Sequence, residues 1–427
     1  MLNKDNLLEV IHKSLREINP ENLVEKSCSL KENILTIQNQ SFEIPVKKKV
    51  YIFGSGKAVQ SMAKSINEIL GNKIEKMLLI GPYVNELNLH NIEYLQSTHP
   101  LPSNKSLEAA LKMTKELKKL NSDDIFIYLL SGGTSALIEL PADSISLNDF
   151  QSATTLMLKN SMPIEAINCV RKHLSQVKGG RLSSLTKASG YVLVLSDVLG
   201  DNLEDIGSSP FYYDKTTFKD AIDYLYKYKI FDQLPNSIQN YLIDGCNEKV
   251  EETLKSESEN IKHFIIGSNS LFLHSIQKNL SEYNIYAKVY ENSIIENVTK
   301  VSQKLVEFSL KESSGCFIFG GEATVLVKGS GQGGRNQHLV LEFLNNYPKD
   351  KEITLLSVAS DGIDGNSTAA GAIIDYEIVQ KVEMINSDLQ DALRSFDSYN
   401  FLKKIDCLIE SGPTHNNMLD AVVLYIK

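Results

Sequence analysis

Short β-branched and aromatic runs alternate with stretches of helical periodicity along most of the chain, and many of the runs end in a turn of glycine, serine or aspartate. Candidate strands are Val50–Phe53, Lys76–Ile80, Ile125–Leu130, Tyr191–Leu195, His263–Ile266, Ala287–Tyr290, Cys316–Phe319, Thr324–Val327, Ile353–Val358 and Val422–Ile426. Apolar residues recur at helical spacing over Ala58–Leu70, Ser106–Leu120, Asn168–Lys178, Thr217–Tyr228, Ser270–Asn279, Glu296–Glu312 and Asn336–Asn345. Strand and helix signals in alternation predict α/β layers with largely parallel sheets, because the crossover helices must cover the sheet faces.

At about 150 residues per domain, 427 residues suggest two or three domains. The stretch Asn247–Lys262 is strongly charged and reads as a solvated linker, so the expected organisation is an N-terminal α/β domain over 1–245, a linker over 246–262 and a C-terminal α/β domain over 263–427. A 42% hydrophobic content is enough for packed cores and excludes wholesale disorder. The net charge of −9 argues against general nucleic-acid binding, which needs a basic face. Five cysteines, none in a C-x-x-C pair, read as buried apolar residues in a reducing, cytoplasmic setting rather than as a disulfide framework or zinc site. Charges interrupt the N-terminal stretch and no run reaches the roughly 18 apolar residues of a span, so neither a signal peptide nor a membrane partner is expected.

The chemistry sits where strands end. Gly54-Ser55-Gly56-Lys57 turns a strand into a helix and offers backbone N–H groups and an ammonium to an anion. It lacks the spacing of a Walker A loop. Ser131-Gly132-Gly133-Thr134-Ser135 follows a buried strand and can aim successive N–H groups and hydroxyls at one anion. Asn168, Arg171, Ser175 and Lys178 are spaced to share one helix face, with Gly179 as its cap. Asp197 and Asp201, four apart after a strand, have the oxygen chemistry that magnesium takes. Around Glu322, six glycines fall within fifteen residues, and Gly329, Gly331 and Gly334 match G-x-G-x-x-G. Gly333 and Gly334 lead into Arg335 and Asn336, and a guanidinium there can clamp a phosphoryl group. Asp361 and Asp364 lie in a turn after another strand, where they suit a metal or a substrate hydroxyl. Anion-binding backbone, several cations and acidic turns together are what phosphoryl transfer requires.

The ordered series GSGKA, SGGTSAL, NCVRKHLSQVKGGRL, SDVLGD, GGEATV, GQGGRNQ, SDGIDG and SGPTHNN resembles the glycerate 2-kinase family from about Lys48 to Lys427. That resemblance implies a Rossmann-like N-terminal domain, a second three-layer α/β domain and a cleft between them. It also implies phosphorylation of the 2-hydroxyl of D-glycerate with ATP and Mg2+. Lys57, Arg335 and Asp197 become the leading catalytic residues, with Asp197 either organising magnesium or accepting the hydroxyl proton. Glu322, Asn336, Asp361 and Asp364 stand behind them. Departures such as Ser97-Thr98, Ser103 and Ser208-Ser209-Pro210 touch loops more than charges, which leaves a related small hydroxy acid open as the acceptor. The runner-up is an NAD(P)H-dependent hydroxypyruvate reductase, carried by the G-x-G-x-x-G match. Its acid is misplaced, since Asp361 lies 27 residues past Gly334 where the fingerprint expects about 20. A non-enzymatic sugar-acid sensor is a third reading. Monomer and homodimer are both compatible with the sequence.

Overall fold

The structure, a computed structural model, describes residues 3–83, 89, 91–382 and 386–427. It divides into two compact units. One comprises Val24–Leu195 and Asp201–Ile266; the other comprises Met1–Leu23, Ser196–Gly200 and Gly267–Lys427. The units therefore part at Ile266/Gly267 rather than within 246–262, and the N-terminal helix Lys4–Glu17 counts with the C-terminal unit.

The first unit is built on a six-stranded sheet. Across it run Ile92–Gln96, Ile74–Gly81, Val50–Ser55, Ile125–Leu130, Ser189–Leu195 and Ile261–Gly267. In chain order this is 3-2-1-4-5-6, the doubly wound Rossmann arrangement. The pairings of the first five strands are parallel. The reason is visible in Ile125–Leu130 (IFIYLL): all six residues are buried, as both faces are covered. The helix Val59–Leu70 supplies part of that cover, burying Val59, Met62, Ala63, Ile66 and Leu70 on one stripe. Each of these side chains apart from Ala63 contributes about 1.5–3 kcal/mol by leaving water. A three-stranded antiparallel sheet over Cys28–Lys31, Ile34–Ile37 and Gln40–Glu43 lies outside the sequence expectation.

The second unit also has a six-stranded sheet, but a mixed one. Its order is Ala287–Ile294, Gly315–Gly321, Asp420–Ile426, Ile353–Ala359, Gly371–Ile374 and Leu408–Ile409. Only the first pair is parallel. The final strand enters between Gly315–Gly321 and Ile353–Ala359 and runs against both, which corrects the expectation of largely parallel sheets here.

Three other expectations fail for one reason, namely hydrogen bonds to distant segments. Thr324–Val327 is not a strand. Thr324 alone bridges to Asn297, and Leu326 and Val327 then lie exposed. The helix expected over Asn168–Lys178 runs instead over Ile164–His173. Its continuation is captured by Leu140 to Ala142: Gln176 N donates to Leu140 O, Ala142 N donates to Leu174 O, and Ser175 bridges Pro141. Gly179 accordingly does not cap that helix. Its N–H donates to Ser208 O while its carbonyl accepts from Leu254. That last bond also corrects the solvated linker. Thr253 is buried, and its hydroxyl donates to the buried Asp214 carboxylate at 3.0 Å. Of the five cysteines, all free, four are buried and Cys246 is exposed.

Candidate active site

In the first unit, Val50–Ser55 and Ile125–Leu130 are neighbours at the point where strand order reverses, the crevice in which open α/β sheets take ligands. The loops leaving them are Gly54–Lys57 and Ser131–Ser135. They are tied together: Lys57 N donates to Gly132 O at 2.9 Å and Ala58 N to Ser131 Oγ at 3.1 Å. Gly56 has φ of +135°, and a Cβ there would lie 2.0 Å from Ser131 Oγ. Only glycine fits that approach.

Most hydroxyls of these loops serve the scaffold. Ser55 Oγ bonds Tyr128 Oη at 2.5 Å and Thr134 Oγ1 at 3.0 Å. Thr134 Oγ1 lies within donating distance of Ser55 O and Ser131 O, and Ser135 Oγ pairs with Ser208 Oγ at 2.6 Å. Among the described residues, the N–H groups of Gly132, Gly133, Thr134 and Ser135 meet no protein acceptor. Those amides, rather than the hydroxyls, are the groups of the loop left open to an acceptor. Lys57 is exposed beside it, and Gly133 separates the Lys57 stem from the ring of His99. Partial enclosure, together with the Lys57 charge, holds the His99 imidazole below its usual range. His99 opens the short run His99-Pro100-Leu101-Pro102, which carries no site signal of its own in the sequence.

Lys178 proves to be internal and Arg171 half-buried. Lys178 is 1% exposed and pairs with the fully buried Glu139 at 2.8 Å. Burial pulls its ammonium down to about 8 against the attraction of Glu139. Ser175 Oγ donates to the other Glu139 oxygen at 2.6 Å. Arg171 donates to Ser135 O at 2.9 Å and lies over the Phe150 ring. Asn168 is also buried, within reach of Ser208 Oγ. The expected polar helix face is thus a buried support beneath the Ser131–Ser135 loop. Asp201 is half-buried, with φ of +55° and one sealed oxygen. It counts with this unit, whereas Asp197 counts with the other.

In the second unit, sheet register gathers the acids. Asp420 opens the last strand opposite both Gly321 and Ala359, so Glu322 and Asp361 follow at the same sheet edge. Arg335 begins the helix Arg335–Asn345. Its Nε donates to Asp420 Oδ2 at 2.5 Å, its Nη2 to Asp420 Oδ1 at 3.0 Å, and its Nη1 lies 2.7 Å from Glu322 Oε1. Burial alone would lower the guanidinium, but the Asp420 carboxylate outweighs it and holds the group raised. Burial pushes the Glu322 carboxyl up, and Asp420, Asp197 and Asp361 add to that against the pull of Arg335. Asp420 follows the SGPTHNN motif and lies outside the residues that the sequence singles out. The signal that marks it is an acid opening an otherwise apolar strand, DAVVLYI.

Asp364 and Asn336 have structural work. Asp364 is 2% exposed and accepts from the backbone N–H of Asn336 at 3.1 Å and of Gln337 at 2.8 Å. It caps the helix that Arg335 begins, so those amides are closed to a phosphate. Burial pushes the Asp364 carboxyl up to about 6. Asn336 is buried and accepts from Ser357 Oγ. The Gly329–Gly334 loop does not follow a strand. A Cβ on Gly329 would lie 2.1 Å from Ser395 O, and one on Gly331 2.6 Å from the Asp397 backbone. These glycines admit neighbouring chain, which accounts for the G-x-G-x-x-G match without a pyrophosphate.

No group of three His, Cys, Asp or Glu side chains among the described residues forms a ready metal cage. The surplus of carboxylates over the single Arg335 charge nevertheless fits magnesium as it is held in nucleotide sites, by one or two carboxylates plus phosphate oxygens and water.

A Rossmann-like unit with amides and a lysine at its switch point, followed by a mixed α/β unit with a guanidinium among carboxylates, defines a two-unit α/β protein equipped for anionic small molecules. Comparison with known proteins narrows this class. Residues 6–243 match the domain of unknown function DUF4147, and residues 315–420 match the MOFRL family. The chain is 34% identical to the glycerate 2-kinase of Pyrococcus horikoshii, covering 98% of this chain and 96% of that protein. It is 33% identical to the D-glycerate 2-kinase of Thermotoga maritima, over 97% and 96% respectively. A putative hydroxypyruvate reductase of Agrobacterium vitis is 29% identical, over 88% of this chain and 98% of that protein. The crystal structure of a glycerate kinase from Thermotoga maritima superposes with a TM-score of 0.87 at 32% identity, covering 99% of each chain. The chain belongs to the glycerate kinase family, in which a DUF4147 domain precedes a MOFRL domain. No helix among the described residues is long and apolar enough to cross a membrane.

Proposed function

We propose that this chain is an ATP-dependent, magnesium-assisted kinase that phosphorylates the 2-hydroxyl of D-glycerate, giving 2-phosphoglycerate and ADP in the cytoplasm. The observation that carries the reading is the pair of loops at the switch point of a 3-2-1-4-5-6 sheet, one bearing Lys57 and the other unpaired amides. It occurs in a chain similar over nearly its full length to glycerate 2-kinases.

In this reading, Lys57 and the Gly132–Ser135 amides neutralise and orient an anionic group of the substrates. Arg335, fixed by Asp420 and Glu322, presents its remaining N–H groups to the oxygens where charge develops. Asp197 receives the proton of the 2-hydroxyl as that oxygen bonds to the γ-phosphorus and the bond to the ADP oxygen breaks. Glu322 would hold the magnesium, joined by Asp197 only where that residue organises the metal instead of taking the proton, and the ion would supply positive charge to the phosphate oxygens. Asp201 keeps a supporting place as a candidate ligand.

The test is ADP release with D-glycerate, followed by enolase alone. Direct conversion by enolase identifies the 2-phosphate. A requirement for a mutase first identifies the 3-phosphate and overturns the reading. The reductase reading has the name of one relative in its favour, while the glycine loop that motivated it is filled by neighbouring backbone. NADH oxidation with hydroxypyruvate and without ATP would restore it.

A further inference from the structure

A cavity of about 300 Å³ lies within the second unit, directly beside Arg335. Val325, Val327 and Phe396 give it apolar walls, and the Gly331–Gly334 backbone forms another side. Its size is at the lower end for ligand pockets, and such pockets are mostly apolar with a few polar groups. We propose that this cavity takes the base and ribose of the nucleotide. The inference rests on the kinase reading and adds to it the location of the base.

Three observations point there. First, Phe396 and His338 lie parallel at the wall, ring centroids 4.7 Å apart and 13° from coplanar. Such a pair continues a stack into a planar heterocycle. Second, His338 is 4% exposed, and its Nδ1 has no hydrogen-bond partner among the described residues. Burial brings its pKa down to about 4, so the ring is neutral and one of its nitrogens accepts. An unsatisfied ring nitrogen at a cavity wall is a group that a ligand can satisfy. Third, Phe396 follows the helix Asn386–Ser395 with φ of +58°, a left-handed position usually given to glycine or asparagine. A bulky aromatic is disfavoured there, and its compensation is the stack against His338.

The acceptor is a poor match for this space. D-glycerate is a small anion with two hydroxyls, and the valine and phenylalanine walls offer it no partners. The base is the component of the substrate pair with apolar faces. Arg335 on the lining places a cation at the edge of the cavity, where the phosphates would leave it.

The experiment compares wild type with Val327→Glu and Phe396→Gly. Val327 is 59% exposed, so a charge there spares the fold while entering the cavity wall. Glycine at 396 relieves the left-handed backbone while removing the ring. Both variants should raise KM for ATP and the Kd of the fluorescent analogue mant-ATP about tenfold or more, the scale of losing one base–aromatic contact. KM for D-glycerate should stay within about twofold. Wild-type KM for ATP in both variants would place the base elsewhere and overturn the inference. A rise in KM for D-glycerate with KM for ATP unchanged would assign the cavity to the acceptor and also overturn it. If wild type releases no ADP with D-glycerate, the kinase reading falls. The mant-ATP titrations then still decide the cavity: weakened binding in both variants supports a nucleotide site, and unchanged binding removes it.

Discussion

Replacing Lys178 by methionine should unfold this protein more readily without touching its chemistry. The ammonium is 1% exposed, lies 2.8 Å from Glu139 Oε2 and donates to Ile138 O at 3.2 Å. Methionine fills nearly the same volume but leaves Glu139, itself 0% exposed, with the Ser175 hydroxyl and the Leu140 N–H on one oxygen, no donor on the other, and the field of Arg171. Breaking a buried pair from one side costs about 3–5 kcal/mol. Because Arg171 still supplies a positive charge, the lower end, about 3 kcal/mol, is expected. The double replacement Lys178→Met with Glu139→Gln removes the stranded charge and keeps an acceptor for Ser175. It should return to within about 1 kcal/mol of wild type, as neutral replacements of buried pairs commonly do. Urea unfolding read by circular dichroism measures the cycle, and tyrosine emission is a second probe in a chain with no tryptophan. Folded Lys178→Met should keep its kcat/KM for both substrates. A variant of wild-type stability whose kcat/KM collapses would show that Lys178 meets a ligand and would refute the buried-support argument.

Lys57→Ala and Arg335→Ala should each lower kcat by about 10²-fold or more in the ADP-release assay, the scale of losing one electrostatic stabiliser. Gly56→Ala should destabilise the first unit and lower activity together, because its Cβ would lie 2.0 Å from Ser131 Oγ at a φ of +135°; thermal melts and turnover read both effects. Asp364 has a folded pKa near 6, raised above an unfolded value near 3.9. Its stabilising proton uptake is therefore fully present below about pH 4 and lost as pH rises through 6. Against Asp364→Asn, which keeps an acceptor for the helix amides, wild type should lose roughly 2 kcal/mol of relative stability between pH 4 and pH 7. Urea titrations at the two pH values check the sign.

What was legible in the sequence is what local pattern encodes. IFIYLL can hardly be anything but a strand buried on both faces, and the glycine turns after Phe53 and Leu130 fall at the sheet end, as doubly wound topology requires. The failures involve partners far along the chain. Nothing near Ser175 announces that Pro141 will bridge it, so helical periodicity was extended to Lys178. Charges around Thr253 read as solvated because Asp214, some forty residues earlier, cannot be seen as their buried partner. Valines at 325 and 327 read as a strand, yet the strand Asp420–Ile426 already occupies the place beside Gly315–Gly321.

Arg335 shows why the type of a site residue is easier to read than its state. A guanidinium after a glycine loop has the chemistry of a phosphate ligand, and such a ligand needs freedom to reach its anion. The fold instead commits two of its N–H groups to Asp420 and sets a third nitrogen 2.7 Å from Glu322 Oε1. Two consequences follow from that geometry. The side chain is held in one orientation before substrate arrives, so no ordering entropy is lost at the moment of reaction. On the proposed kinase reaction, the carboxylates also outnumber the cation, so an incoming triphosphate would be better accommodated with a divalent ion than without one. Under that proposal the same Asp420 that anchors Arg335 would contribute to the demand for metal. Asp420→Asn should accordingly weaken the orientation of Arg335 and shift the magnesium dependence of turnover in the same variant. A fall in kcat with an unchanged magnesium profile would separate the two effects and show that Asp420 only positions the guanidinium.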